Sequence, residues 1–321
     1  MAEACSSNLH RVEGAWSVEL ISASIFTERP GQIVEGKTVA SEATCIVVNH
    51  DDVVIRNCHL THGGINACGI ANERPIERLL IEECTIENAA APPSGPALSA
   101  NQINVCLRNV AGLAIRGMTV RRGSSGVYLR RCHHVVAAGL HGEDFRGPAP
   151  RGQLIQFDNC HEILLDRFSC RNGESSWPED VVSVFECTGS ILIERGLLDG
   201  CNCPTGWGVM IEHTPDAIVR GVDCLRMGNG NFAAAGARSV AVLFDSCRAR
   251  DSIAKNQGRG IPTSNCLGFG SINGATRTAF RSIVYWNLGN PTNIAWDRST
   301  MRDFEFRMLD FSPSPAAFLL K

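Results

Sequence analysis

Three carboxylates, Asp158, Glu186 and Glu212, each follow a bulky apolar residue, Phe157, Phe185 and Ile211, at intervals of 28 and 26 residues. A chain that coils once per interval stacks such positions on neighbouring strands, about 4.8 Å apart. Acids at that distance raise one another's pKa, so that one can donate a proton beside another that accepts it. A pair of this kind cleaves glycosidic bonds in one arrangement and binds Ca²⁺ in another. A solvated charge ladder is the bland alternative, but these acids share one sign, and uncompensated clusters mark functional sites more often than scaffolds do. Arg130 takes the equivalent place one interval earlier, with Tyr128 on the same segment as a substrate-binding candidate. His213 adjoins Glu212, where an imidazole titrates near neutral pH.

Two loops feed the segments that carry these acids. The first, HGEDFRGPAPRGQ, spans residues 141–153, and the second, NGESSWPED, spans 172–180. Pro148 and Pro150 restrict the first backbone, so Arg146 and Arg151 are held ready at little ordering cost. Guanidinium groups suit the planar carboxylate of an acidic sugar. Gln153 and Gln156 add amides, Trp177 a flat ring, and Glu179 and Asp180 further carboxylates at the strand entrance. The expectation is that Asp158, Glu186, Glu212 and Asp180 share acid, base or metal duties. Arg130, Arg146, Arg151, Gln153, Gln156, Tyr128, Trp177, Glu179 and His213 would then bind substrate.

Positioning them falls to a short repeat that runs from about residue 43 to about residue 250, as in CIVVNHDDVVIRNCHL, LIQFDNCHEILLDRFSC and GVMIEHTPDAIVRGVDC. Cys132, Cys160 and Cys187 are spaced by 28 and 27 residues, and His213 follows after 26. Each unit holds two short runs rich in Val, Ile and Leu separated by polar turns, which predicts strands rather than helices. A unit this short cannot bury its own apolar face, so neighbours must stack into a solenoid. The repeat resembles a right-handed parallel β-helix of the pectate-lyase-like kind: all-β, single-stranded, with terminal caps. Within such a coil Cys58, Cys84 and Met118 are expected in one inward column, and Cys132 and Cys160 in a turn-proximal one, as soft core filler. Arg56, Glu82, Arg116, Asp166, Glu194 and Arg220 are expected on a second outward ladder whose mixed signs mark it as structural. The division is an N-terminal cap over 1–42, the β-helix over 43–265, and a C-terminal cap or oligomerisation segment over 266–321 that gains aromatics such as Phe269, Trp296 and Phe311.

A narrower pattern, RGPAPRGQLIQFD followed by PED, is similar to one found in a bacterial group of right-handed β-helix repeat proteins. The resemblance implies Arg146, Arg151, Gln153, Gln156, Asp158, Glu179 and Asp180 as site residues, and it implies no particular reaction. Wider β-helix carbohydrate enzymes imply a groove that binds a sugar chain across several rungs.

The bulk composition limits the alternatives. With 321 residues, 44% hydrophobic and 20% charged, the chain has ample material for a core. A formal charge of −3 argues against a nucleic-acid partner, which would need a basic field. Lys37, Lys255 and Lys321 are the only lysines, so the lysine base of some lyases has no candidate near the acids. Fifteen cysteines, several inside apolar runs, read as free thiols of a reduced, cytoplasmic protein; a secreted protein whose leader was removed is the alternative. The CNCP segment at Cys201 and Cys203 lacks a second ligand pair for a metal. No apolar stretch has the length of a membrane span. The expectation is glycosidic cleavage in an acidic oligo- or polysaccharide, without a cofactor. A lyase or epimerase using Ca²⁺, held by Asp158, Glu186 and Glu212, with an Arg or His base is one alternative, and a non-catalytic glycan-binding or phage-fibre-like coil is another.

Overall fold

The computed structural model describes residues 20–89, 101–147, 150–173, 176, 178–201, 205–252, 267–288 and 293–309. The Val-, Ile- and Leu-rich runs form strands in two sheets, one of 17 strands and one of 11. Strands one coil apart pair in parallel, and the chain winds as a right-handed parallel β-solenoid of about 9 turns. Among the described residues the only helix is a 3₁₀ turn, Arg298–Thr300. No helix among them is long and apolar enough to cross a membrane.

The 11-stranded sheet matters most for function. Alternate residues of its strands point into the coil and stack from rung to rung. One inner column runs Val105, Val127, Ile155, Val182, Val209, Phe232 and Phe269; the other runs Leu107, Leu129, Phe157, Val184, Ile211 and Ala234. All are fully buried. Each large side chain removed from water contributes on the order of 1.5–3 kcal/mol, which makes the ladder the main source of cohesion.

Where the six successive strands from Val105–Arg108 to Gly230–Ala235 leave this sheet, one residue adopts the left-handed conformation: Asn109, Arg131, Asn159, Glu186, His213 and Gly236. The next position carries the expected turn column of thiols. Cys132, Cys160 and Cys187 are buried, and the Cys160 and Cys187 thiols donate to the carbonyls of Leu129 and Phe157 one rung back, at 3.4 and 3.5 Å. A cysteine here fills a small space and caps an otherwise idle carbonyl lone pair. Thr214, whose hydroxyl accepts the Cys187 N–H at 3.0 Å, continues the column.

The larger sheet carries the other two expected columns. Cys58, Cys84 and Met118 are buried and stack through the pairs His59↔Thr85 and Thr85↔Thr119. The mixed ladder aligns Arg56, Glu82, Arg116, Ala138, Asp166, Glu194 and Arg220. Its members neutralise their neighbours, as in Arg56–Glu35 at 2.9 Å and Arg220–Glu194 at 2.5 Å.

Strand pairing runs on beyond residue 265. Leu267–Ile272 pairs with Gly230–Ala235, and Thr278–Trp286 pairs with Met301–Met308. Phe269 and Phe280 are buried there, and Phe306 stacks on Phe269 with ring centroids 4.5 Å apart. Trp296 is 39% exposed. Phe311 lies outside the described residues. At the other end, Leu20–Ile21 pairs with Thr38–Ser41, and Ile25–Phe26 pairs with Ile46–Val48.

Candidate functional site

Outward residues of the 11-stranded sheet also stack. One column runs Arg108, Arg130, Asp158, Phe185, Glu212 and Ala235. A second, two residues earlier on each strand, runs Cys106, Tyr128, Gln156, Ser183, Met210 and Ala233. Asp158 and Glu212 therefore share a column, but Glu186 does not. Its expected place is taken by Phe185, because Val184 rather than Phe185 is the inward partner of Phe157 and Ile211. With a side-chain period of two, a register one residue off reverses the face of every side chain. Glu186 sits instead in the left-handed turn at φ 53°. There it ion-pairs with Arg238 and accepts a 3.3 Å hydrogen bond from Asn159. Since the Arg238 side chain is 61% exposed, Arg238→Ala is expected to change unfolding free energy by less than about 1 kcal/mol in urea titrations.

Asp158 is held from three sides. The Tyr128 hydroxyl donates to Oδ2 at 2.5 Å, Arg130 Nε lies 3.5 Å from the same oxygen, and Asn159 donates to Oδ1 at 2.7 Å. Burial and the neighbouring Asp158 push the Tyr128 hydroxyl up to about 12, so it remains a donor at neutral pH. The Arg151 guanidinium lies over the Tyr128 ring, 5.0 Å from its centre, which keeps a cation at the edge of the face.

A second acidic group forms one to two rungs further on. Glu179 ends the second loop, and its backbone runs so close to Gly206 that a Cβ there would lie 1.3 Å from the Glu179 carbonyl oxygen. Only glycine permits this approach, which fixes the loop against the strand Trp207–Glu212. Asp180 is buried and accepts the Trp207 N–H at 2.8 Å. Burial, then Glu179, raises its carboxyl well above the ordinary range, against the Trp207 hydrogen bond. Burial also raises Glu179, assisted by Glu212 and opposed by Arg151. Glu212 is raised by burial, opposed by His213 and assisted by Glu186. His213 stands edge-on to Phe185, with centroids 6.1 Å apart, and its ring covers Gly236, where a Cβ would come within 2.4 Å.

The raised Asp180 carboxyl has a consequence for stability. The folded state holds the proton that the unfolded chain releases near pH 4, so this group's contribution falls as pH rises from the unfolded pKa towards the folded one. Asp180→Asn keeps an oxygen for the Trp207 N–H and removes the charge. Thermal melts at pH 7 should show a higher Tm, by about 2–4 °C for each kcal/mol of strain relieved, and a weaker decline between pH 4 and 7. An unchanged pH dependence would contradict the assignment.

Two other candidates point away from the face. Arg146 is 2% exposed, donates to Gln102, and receives no opposite charge among the described residues. Burial lowers its pKa. A side chain so enclosed is not among those presented on the outer face, where the proline-rich loop had led it to be expected. Gln153 is 1% exposed and braces that loop, donating to the Pro150 carbonyl at 3.0 Å and accepting from Ser125 at 2.9 Å. Gln156 stays on the outer face, and its Oε1 has no hydrogen-bond partner among the described residues. Trp177, Pro148 and Cys203 lie outside the described residues. Among the described residues no three His, Cys, Asp or Glu side chains converge to hold a metal ion. Asp158, Glu186 and Glu212 in particular do not fit Ca²⁺, since Glu186 turns to Arg238. Phe185, Asn159 and Arg108 join the face without having been singled out. The Asn in the DNC turn at residues 158–160 was the available signal for Asn159, because Asn tolerates the left-handed conformation.

No family model and no curated protein matches the chain. Among solved structures it is similar to tailspike protein 3 of bacteriophage CBA120, with a TM-score of 0.54 and 10% identity over 94% of this chain and 51% of that one. It is also similar to a family 28 exopolygalacturonase of Yersinia enterocolitica, with a TM-score of 0.46 and 12% identity over 87% of this chain and 66% of that one. The Dettilon tailspike protein follows with a TM-score of 0.36 and 10% identity over 88% and 62%. This chain spans about half the length of the CBA120 tailspike, at 51%. At that identity the likeness establishes the β-helix fold.

Proposed function

We propose that the outer face of the 11-stranded sheet binds an acidic oligo- or polysaccharide and hydrolyses a glycosidic bond with inversion. The observation that carries this reading is the shared outward column of Asp158 and Glu212, with the Phe185 rung between them. Two rungs separate their backbones by about 9–10 Å. Inverting glycosidases hold their carboxyls about 6.5–9.5 Å apart to admit a water, whereas retaining ones need about 5 Å. Glu212, whose burial favours the protonated form, would donate to the leaving oxygen. Asp158, oriented by Tyr128, Arg130 and Asn159, would draw the proton from the attacking water. Arg130 and Arg151 would bind the carboxylate of the sugar, and Phe185 would offer an apolar surface to its ring face.

The test is a panel of acidic and neutral glycans, read for new reducing ends and for the anomer first released. Asp158→Asn should lose turnover, while Asp303→Asn, an exposed partner of Arg281 on the other sheet, should keep it. Unsaturated uronate products would instead indicate elimination. A binding-only coil is a second reading, favoured by the three partners that already occupy Asp158. It predicts saturable glycan binding, weakened by Arg151→Ala, with no new reducing ends.

A further inference from the structure

At the margin of this face lies a thiol pair that the hydrolytic reading does not use. Cys106 is the partly exposed member of the free cysteines among the described residues; the others, from Cys45 to Cys247, are buried. It stands on the outer face one rung before Tyr128. Cys68, 7% exposed, belongs to a small apolar cluster with Ile103 and Tyr128, against which Cys106 and Ala71 pack. Cys106 thus packs against the cluster that holds Cys68; Arg108 follows two residues later on the same outward strand, and Arg151 lies over the neighbouring Tyr128 ring. These cations are what a thiolate needs in order to form near neutral pH. The Cys68 contact and the two arginines pull the Cys106 thiol down to about 7 against the effect of burial. Cys68, raised by that same contact and by burial, keeps its proton. Cys58 and Cys160 are also pulled down, Cys58 by Cys84 and Lys37 and Cys160 by Cys132 and Cys187, but both are buried, so among the described thiols Cys106 is the one that a solute can reach.

We propose that Cys106 is a peroxide-reactive thiol and that Cys68 resolves its oxidised form into a disulfide. In the first step the Cys106 thiolate attacks one oxygen of hydrogen peroxide. An S–O bond forms, the O–O bond breaks, hydroxide leaves, and Cys106 becomes a sulfenic acid by loss of two electrons to the peroxide. In the second step the Cys68 thiol attacks the Cys106 sulfur. The S–S bond forms as the S–O bond breaks, and the Cys68 proton leaves with the hydroxyl as water. Two thiols and one peroxide thus give one disulfide and two waters, and a small thiol reductant reverses the change.

The experiment exposes the full chain to hydrogen peroxide, alkylates the remaining thiols, and maps the digest by mass spectrometry. The expected product is a peptide that links Cys68 to Cys106, lighter by two hydrogens and lost on reduction. Cys68→Ser should instead trap a Cys106 sulfenic acid with dimedone, and Cys106→Ser should leave Cys68 unmodified. Alkylation of Cys106 by iodoacetamide should be half-maximal near pH 7 rather than at the roughly 8.5 of an ordinary thiol. A link through other cysteines, or a Cys106 that alkylates with an ordinary pH profile and forms no link, overturns the proposal. These readouts need no glycan, so they stand whether or not the face is hydrolytic.

Discussion

Glu212→Gln is expected to lower kcat on a cleaved glycan by roughly 10²–10⁴-fold, the contribution of a positioned proton donor, with little change in KM. The amide keeps the size and hydrogen-bonding reach of the acid but has no proton to give. In the parent, turnover should fall on the alkaline side as pH rises through the raised carboxyl pKa of Glu212. In the variant that limb should vanish from what activity is left. Loss of folding is separable from loss of chemistry, because removing a half-buried charge should leave the melting temperature at pH 7 equal to or above that of the parent. A variant with parent-like kcat would dismiss Glu212 as the donor. Asp158→Asn should also lose turnover but leave the alkaline limb in place in what activity is left, and this difference distinguishes the base from the acid.

Phe157→Ala carries the largest expected effect on stability, a loss of about 3–5 kcal/mol. The ring is fully buried between Leu129 and Val184 in an inner column, directly behind Asp158. Its neighbours are fixed to the rungs on either side by backbone hydrogen bonds, so the hole cannot collapse. Phe157→Leu, which keeps most of the volume, should cost far less. Urea midpoints of the two variants, set beside that of Arg238→Ala, give the comparison. If Phe157→Ala resembled the exposed ion-pair variant, the inner column would not be the source of cohesion.

The coil itself was legible in the chain because its punctuation is periodic. Cys132, Cys160 and Cys187 recur at the coil length, and they do stack in the turn. The mixed-charge ladder from Arg56 to Arg220 could be aligned for the same reason, since its residues sit inside regular alternating runs. Register failed at VSVFEC. Phe185 has the hydrophobicity of a core residue, yet it points outward, edge-on to His213. Taking it as inward moved Glu186 onto the face by one position. The alignment of Cys187 with His213 failed in the same way; Thr214 is the partner, 27 residues on. Arg146 misled for a different reason. Its charge and its proline-rich loop suggested a surface contact, whereas loop packing against Gly123 and Gln102 draws the guanidinium inside. Burial of this kind depends on contacts distant in sequence, which local composition does not record.

The left-handed turns that close the six strands from Val105–Arg108 to Gly230–Ala235 recur once per coil, and the parallel pairing keeps the outward columns in step, so backbone distances along a column come in whole multiples of the strand spacing. A solenoid built this way is a stepped ruler. Divergence along it would convert a water-admitting gap into a direct-attack gap by moving an acid one complete step, never by gradual drift.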